Sequence, residues 1–207
     1  AFHQGDLPAS AALIGLFHER GGAYIDCSGT SRFVVADVAN QLGIGGDLFL
    51  GTYFMDADEA AMRDNIRRLL RLTGKQQLDL VQAYPEFAVP NWAMFRQWKA
   101  EGLTRHIGIA RHRSSYYDAM VDLMATGTVD ILQVNYSPLE TEADQKVLPE
   151  IGEEHRPALI PFPAAVDLAG SEAHDLVGMD APVSHLLVAA ADRVLVAEVE
   201  AEHVAVG

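Results

Sequence analysis

A strand–helix–strand unit over residues 95–139 constrains the fold of this chain more than any other feature of the sequence. The apolar run 106–110 predicts a buried strand, and apolar residues at helical spacing over 117–124 predict a helix. Residues 130–136 form a second apolar run of strand length. Because the connections are short, the two strands are expected to be parallel and joined by a right-handed crossover.

The same alternation of helix and strand continues along the chain. Five further strands are predicted, at 23–26, 48–53, 78–84, 158–162 and 193–199. The helices predicted between them include one that Asp56 or Asp58 caps, with apolar residues at 62, 66, 69 and 70, one over 92–100 after a loop between Pro85 and Pro90, and one over 142–154. Repeated βα units form either a doubly wound sheet or a (β/α)₈ barrel. A doubly wound fold calls for a glycine-rich turn after a strand, whereas the glycines at 43–46 precede one. The pattern therefore favours an α/β barrel, as a single domain over residues 1–207.

The composition narrows the classes of partner. With 15 Lys and Arg against 29 Asp and Glu, the net charge is −14, so nucleic acid and anionic membranes are not expected partners. No apolar run reaches the roughly 18 residues that a membrane-spanning helix needs. Cys27 is the single cysteine, which excludes an internal disulfide and fits a reducing compartment. A cytoplasmic location is therefore expected.

Several segments together resemble the aldo-keto reductases, a resemblance that covers roughly residues 21–163. They are Ile25-Asp26, LDLVQ at 78–82, WKAEGLTRHIGI at 98–109 and QVNYS at 133–137. The resemblance implies a TIM barrel, (β/α)₈, that reduces small carbonyl compounds with NADPH. It also implies an Asp, a Tyr, a Lys and a His at strand ends, where the Asp and Lys lower the pKa of a proton-donating Tyr and the His orients the carbonyl.

Only one of these four catalytic positions keeps the family residue. Asp26 matches, whereas Ser31, Tyr53 and Tyr84 stand where the resemblance places the Tyr, the Lys and the His. A serine hydroxyl is a far weaker acid than a phenol whose pKa a neighbouring ammonium lowers. The three replacements therefore argue against conventional NADPH-dependent carbonyl reduction.

The cofactor positions also depart from the family pattern. Gln133 matches the glutamine that holds the nicotinamide amide, but Ala110 and Arg111 replace the polar pair on the preceding strand. The last loop, which presents basic or hydroxyl groups to the 2′-phosphate in the family, contains three carboxylates over 198–202 and would repel a phosphate. We therefore expect no cofactor, with NADPH as the alternative, and no metal, because the potential ligands are scattered.

The first strand of the family barrel has no counterpart in residues 1–8. Seven strands are predicted where a closed barrel of this type has eight. Three explanations stay open: the first strand is missing or altered, another copy of the chain supplies it in a homo-oligomer, or the barrel is open.

The functional hypothesis depends on the polar side chains that are predicted at the strand ends. Asp26 is the predicted base, and Tyr53 and Tyr84 are the predicted hydroxyl donors to a developing oxyanion. A cofactor-independent lyase, cyclase or isomerase acting on a carbonyl compound, or a pseudoenzyme, fits these residues. The alternatives are an NAD(P)H-dependent oxidoreductase with relocated catalytic groups and a non-catalytic binding or scaffold protein.

Four basic residues suggest an anion site at the same end of the strands. The competing interpretation is that they are solvated charges on loops. These residues are Arg32, Arg111, His112 and Arg113.

Overall fold

The computed structural model describes residues 7–27, 29, 31–135, 142–151, 157–162 and 196–198. Within them, strands and helices alternate along the chain. The strands are β1 (Tyr24–Cys27), β2 (Phe49–Tyr53), β3 (Leu78–Ala83), β4 (Thr104–Arg111), β5 (Ile131–Asn135), β6 (Ala158–Phe162) and β7 (Val196–Glu198). The helices are α1 (Leu7–Glu19), α2 (Ser31–Leu42), α3 (Glu59–Thr73), α4 (Pro85–Ala100), α5 (Tyr117–Met124) and α6 (Glu142–Lys146). None of the described helices is long and apolar enough to cross a membrane.

The described strands form one parallel sheet in the order β6-β5-β4-β3-β2-β1-β7. From β1 to β6 each strand therefore lies beside its predecessor, as the predicted βα repeats require. Strand β7 occupies the other edge of β1, with Glu198 in register with Asp26. The prediction about a missing first strand concerns residues 1–8, of which 1–6 lie outside the described residues and Leu7 begins α1.

Both faces of the sheet are covered, so all six residues of β3 are buried. Side chains alternate along a strand, and those on one face pack against the helices in two large apolar clusters. The other face carries two small clusters. One contains Tyr24, Leu80 and Ile131, and the other contains Tyr53 and Ala110 with Tyr84 packed against them. This second face holds the polar residues described below.

Helix α3 shows how the local sequence sets an element. The carboxylate of Asp58 accepts a hydrogen bond from the amide of Ala60 at 2.9 Å and so caps the first turn. Met62, Ile66 and Leu69 lie on one helical face and are buried. Gly74 ends the helix at φ 70°, a left-handed conformation that glycine adopts without steric cost. The predicted helix with these apolar positions is confirmed.

Helix α4 differs from the prediction, which treats the segment between two prolines as a loop. The helix begins at Pro85, where a missing N–H costs nothing because the first helical amides have no intrahelical partner. Pro90 lies inside the helix, in its second turn, and removes only one intrahelical bond. The helix predicted over 142–154 is also shorter than expected, since α6 ends at Lys146 and a 3₁₀ turn containing Pro149 follows.

Two carboxylates fasten the amino ends of the strands to the helices before them. Asp79 accepts the amide of Leu50 at 3.0 Å and pairs with Lys75 at 3.0 Å. Asp130 accepts the amide of Ile107 at 2.9 Å and pairs with Lys99, at the end of α4, at 2.6 Å. These contacts fix the register of the sheet at the end opposite the polar cluster.

Candidate active site at the carboxyl ends of the strands

Four polar side chains from four strands meet on one face of the sheet. We call Asp26, Tyr53, Gln82 and Gln133 the strand-end cluster. The Tyr53 hydroxyl lies 3.1 Å from Asp26 Oδ2 and 3.3 Å from Gln133 Oε1, and it can donate a hydrogen bond to either oxygen. Gln133 Nε2 donates to Asp26 Oδ2 at 3.0 Å, and Gln82 Nε2 lies 2.9 Å from Asp26 Oδ1 and 3.2 Å from Gln133 Oε1. Carboxyl ends of parallel strands commonly carry active sites.

The cluster is shielded from solvent. Asp26 is 2% exposed and Tyr53 is 4% exposed, while both glutamines are 0% exposed. Gly51 on β2 makes room for this arrangement, because a Cβ there would lie 3.1 Å from Asp26 Oδ1 and 2.5 Å from the Tyr24 hydroxyl oxygen. A glycine is therefore needed for the carboxylate to lie over the neighbouring strand.

Burial changes the acid–base behaviour of Asp26. Loss of hydration raises the pKa of its carboxyl from 3.8 to about 7, although hydrogen bonds from Gln133, Tyr53, Gln82 and the Cys27 amide lower it. The carboxyl therefore titrates near neutral pH. Both protonation states can be satisfied without moving heavy atoms. When Asp26 is charged, Tyr53 donates to it; when Asp26 is protonated on Oδ2, it can donate to Tyr53, which then donates to Gln133.

Tyr84, the third predicted catalytic residue, contacts the cluster through its ring. It follows the last residue of β3 and packs edge-on against the Tyr53 ring, with 5.5 Å between the ring centroids. The ring of His112 packs on its other side at 6.5 Å. The strand ends thus bring Tyr84 beside Tyr53, as the sequence predicts, while its role as a hydroxyl donor stays a prediction.

Two of the four basic residues suggested for an anion site, Arg32 and Arg111, bind other groups of the protein. Arg32 is 8% exposed, and its Nη1 donates to the carbonyl of Tyr53. Its guanidinium carbon lies 4.6 Å from the ring centroid of Phe54. Burial lowers the pKa of Arg32. Arg32 therefore holds the end of β2 in place.

Arg111 is enclosed in a similar way. Its guanidinium carbon lies 4.4 Å from the Tyr84 ring centroid and 4.6 Å from that of Tyr116, and Nη2 pairs with Glu86 at 2.7 Å. This arrangement leaves His112 and Arg113 as the basic residues that line a cavity.

The sequence-based reasoning missed Gln82. This residue lies between Val81 and Ala83 on a strand whose residues are all buried, and its side chain shares a face with Leu80. A lone amide in a run of apolar residues was the signal, since a buried polar side chain must find a partner. Gln82 Oε1 is buried and has no hydrogen-bond partner among the described residues.

Cys27 lies in an apolar cluster on the face of the sheet that packs against the helices, away from the strand-end cluster. The Cys27 thiol is buried and donates to the Gly51 carbonyl at 3.3 Å, and burial raises its pKa. Across the described residues, no group of three or more His, Cys, Asp and Glu side chains could hold a metal ion.

Comparison with solved structures shows the fold. An aldo-keto reductase from Klebsiella pneumoniae in complex with NADPH is 18% identical, with a TM-score of 0.58 over 81% of this chain and 61% of that one. A Klebsiella pneumoniae structure with NADP and acetate is 17% identical, with a TM-score of 0.58 over 84% and 62%. Aldo-keto reductase AKR11C1 from Bacillus halodurans, in its holo form, is 19% identical, with a TM-score of 0.59 over 74% and 55%. The predicted (β/α)₈ barrel type is thereby confirmed, and this chain spans less than two thirds of each relative.

The expectation that no cofactor is needed is wrong. Two of the structures just described are complexes with NADPH or with NADP. The expectation depended on Ala110 and Arg111 in place of the polar pair and on three carboxylates over 198–202. Of the latter positions, Glu198 is the last residue of strand β7, and residues 199–202 lie outside the described residues.

Comparison of the sequence with protein-family models identifies the family of this chain. No curated protein sequence matches the chain. The model of the aldo/keto reductase family matches residues 51–163, which is just over half of the 207 residues. That segment runs from the second half of β2 to the end of β6 and contains three of the four residues of the strand-end cluster. This chain belongs to the aldo/keto reductase family.

Proposed function

We propose that this chain binds NADP(H) and interconverts a small carbonyl compound and its alcohol, with Tyr53 and Asp26 as the displaced proton-donating pair. The observation that carries the proposal is the Tyr53 hydroxyl between Asp26 Oδ2 at 3.1 Å and Gln133 Oε1 at 3.3 Å. Family membership and the nucleotide in the relatives support the reaction class. A single domain over 1–207 and a cytoplasmic location belong to the same proposal.

The strand-end cluster suits the amide end of a nicotinamide. A carboxamide offers two N–H donors and one carbonyl acceptor. Gln82 Oε1 is a buried acceptor without a partner among the described residues, and Gln133 uses one amide N–H on Asp26. Gln133 is also the residue that the family resemblance assigns to this amide. These two glutamines would hold the nicotinamide, which supplies a hydride to the carbonyl carbon when it is bound.

The residues of the chain supply the proton. Tyr53 transfers its hydroxyl proton to the carbonyl oxygen as that oxygen gains negative charge. The proton on Asp26 Oδ2 moves to the Tyr53 oxygen, so the pair passes one proton outward and leaves Asp26 as a carboxylate. Because burial raises the pKa of Asp26 to about 7, the protonated and the charged carboxyl are both populated at neutral pH, and the protonated form supplies this proton. In the alcohol-to-carbonyl direction the same carboxylate accepts the proton.

The burial of the cluster favours a second candidate function. All four side chains are at most 4% exposed, and the Tyr84 ring packs against Tyr53. A protein that binds the nucleotide but turns over no carbonyl compound is consistent with this enclosure. It corresponds to the pseudoenzyme and binding-protein interpretations of the sequence.

Two measurements test the proposal. The first is titration with NADPH and NADH by calorimetry and nicotinamide fluorescence. The second is NADPH consumption with a panel of aldehydes and ketones, for the natural chain and for Tyr53→Phe. General acid catalysis contributes about 10²–10⁴-fold, so we expect a loss of that order in kcat for Tyr53→Phe. Tyr116→Phe is the matched control, because Tyr116 packs on Arg111 outside the cluster.

The outcomes separate the candidates. Saturable binding with turnover that Tyr53→Phe removes supports the oxidoreductase. Saturable binding without turnover supports the non-catalytic protein. The absence of binding at millimolar nucleotide would contradict both.

A further inference from the structure

A polar cavity of about 290 Å³ lies beside the carboxyl ends of β4 and β5, separate from the strand-end cluster. It is lined by hydroxyl, amide, imidazole and charged side chains, with no aliphatic side chain. The lining includes His112, Arg113, Ser115, Asn135 and Glu142. Such a wall suits a hydrophilic ligand, since an apolar molecule would gain little from displacing its water.

Hydrogen bonds fix the cavity wall in place. Asn135 Nδ2 donates to the carbonyl of His112 at 2.6 Å, which ties the loop after β4 to the end of β5. The Tyr117 hydroxyl donates to the carbonyl of Asn135 at 3.3 Å, and the amide of Tyr116 donates to the carbonyl of Arg113 at 3.1 Å. These bonds position the backbone that carries the lining residues, which lowers the entropic cost of ordering this loop around a ligand.

Opposite charges line this cavity without pairing. Arg113 and Glu142 both contribute to the lining, yet neither forms an ion pair within 4.0 Å with another described residue. A plain anion would meet Glu142, and a plain cation would meet Arg113, so either would be opposed by a like charge. A ligand that carries both charges satisfies both walls.

We propose that this cavity binds a small zwitterion of the α-amino acid class, with its carboxylate on Arg113 and its ammonium on Glu142. Ser115 and the Asn135 side chain supply neutral hydrogen-bonding groups. The volume of about 290 Å³ admits a molecule of this size. The rings of His112, Tyr84 and Tyr53 lie between this site and the strand-end cluster. The proposal therefore does not rest on the proposed oxidoreductase activity.

Calorimetry with three probes of similar size tests it. L-Serine carries both charges, L-lactate carries the carboxylate with a hydroxyl, and ethanolamine carries the ammonium with a hydroxyl. We expect L-serine to bind about fivefold more tightly than either single-charge probe, because an exposed ion pair contributes up to about 1 kcal/mol. Arg113→Gln should weaken the binding of L-serine by a similar factor, whereas Glu142→Gln should make L-serine and L-lactate bind equally tightly.

Matched controls lie outside the cavity. Arg105→Gln changes an exposed arginine near the opposite end of β4, and Glu150→Gln changes an exposed glutamate in the 3₁₀ turn after α6. Both should bind L-serine as the natural chain does, and circular dichroism checks that all variants fold. Equal affinity for L-serine and L-lactate in the natural chain, no binding of any probe at millimolar concentration, or full binding by Arg113→Gln would each overturn the proposal.

Discussion

Tyr53 and Asp26 lie on neighbouring strands with 3.1 Å between the phenol oxygen and Asp26 Oδ2. The contact pairs a hydroxyl with a carboxyl whose pKa is raised to about 7. In the resemblance to the family, an ammonium stands at position 53 and favours the ionised form of a phenol elsewhere. With a phenol at position 53 there is no ammonium to offset the burial of Asp26, so loss of hydration disfavours the charge of this carboxyl.

The raised pKa of Asp26 predicts a pH-dependent loss of stability. Because the folded-state pKa, about 7, lies above the unfolded value of 3.8, the stabilising effect is complete below pH 3.8 and is lost as the pH rises to 7. The shift corresponds to on the order of 4 kcal/mol. Asp26→Asn stays neutral, so its free energy of unfolding should fall less between pH 4 and pH 8 than that of the natural chain. Urea denaturation at both pH values measures the difference, and parallel pH dependences would contradict the assignment.

Removal of the Tyr53 hydroxyl should raise the pKa of Asp26 further. The hydrogen bond from Tyr53 favours the carboxylate, so Tyr53→Phe leaves burial less opposed. The ¹³C chemical shift of the Asp26 carboxyl, followed against pH, reports the change directly. Tyr116→Phe should leave that titration unchanged. A lower pKa in Tyr53→Phe would show that the phenol does not donate to Asp26.

Arg32 should contribute to stability through the carbonyl of Tyr53. Arg32→Met leaves that buried carbonyl without its guanidinium donor, which costs about 1–3 kcal/mol. Arg68 provides a matched control, because both arginines stack on the Phe33 ring but Arg68 is exposed. The guanidinium carbon of Arg68 lies 4.1 Å from the Phe33 ring centroid. Arg68→Met should change the free energy of unfolding by less than about 0.5 kcal/mol. Equal effects in urea denaturation would mean that ring stacking, and not the carbonyl contact, is what matters.

Gly51 should not tolerate even a methyl group. A Cβ at this position would lie 2.5 Å from the Tyr24 hydroxyl oxygen and 3.1 Å from Asp26 Oδ1. Gly51→Ala should therefore lower the free energy of unfolding by about 1–3 kcal/mol, the range for overpacking in a core. Gly46→Ala is the control, since nothing lies within 4 Å of a Cβ there. Similar melting temperatures for the two variants would contradict the predicted crowding.

The order of strands could be predicted because apolar runs and helix signals alternate along the sequence. Parallel strands end at one edge of the sheet, which is the reason that Asp26, Tyr53 and Gln133 lie together, while the catalytic roles of Asp26, Tyr53 and Tyr84 stay predictions. Pro90 misled the prediction of α4, because a proline in a second helical turn reads locally as a break. The sequence analysis did not identify Gln82, because its hydrogen-bond partners come from β1 and β5 and no local sequence pattern connects these strands. The expected absence of a cofactor is wrong because similar structures hold NADPH or NADP, whereas the expectation depended on single replaced positions such as Ala110 and Arg111.

Asp79 and Asp130 have a consequence for the exchange of backbone hydrogens with solvent. Each carboxylate binds one strand amide, that of Leu50 or that of Ile107, while a lysine near the end of the preceding helix binds the same carboxylate. Either amide can exchange with deuterium when its strand separates from a carboxylate that a lysine also holds. These two amides should therefore exchange together with the helix–strand units that enclose them, as part of the slowest cooperative opening of the sheet.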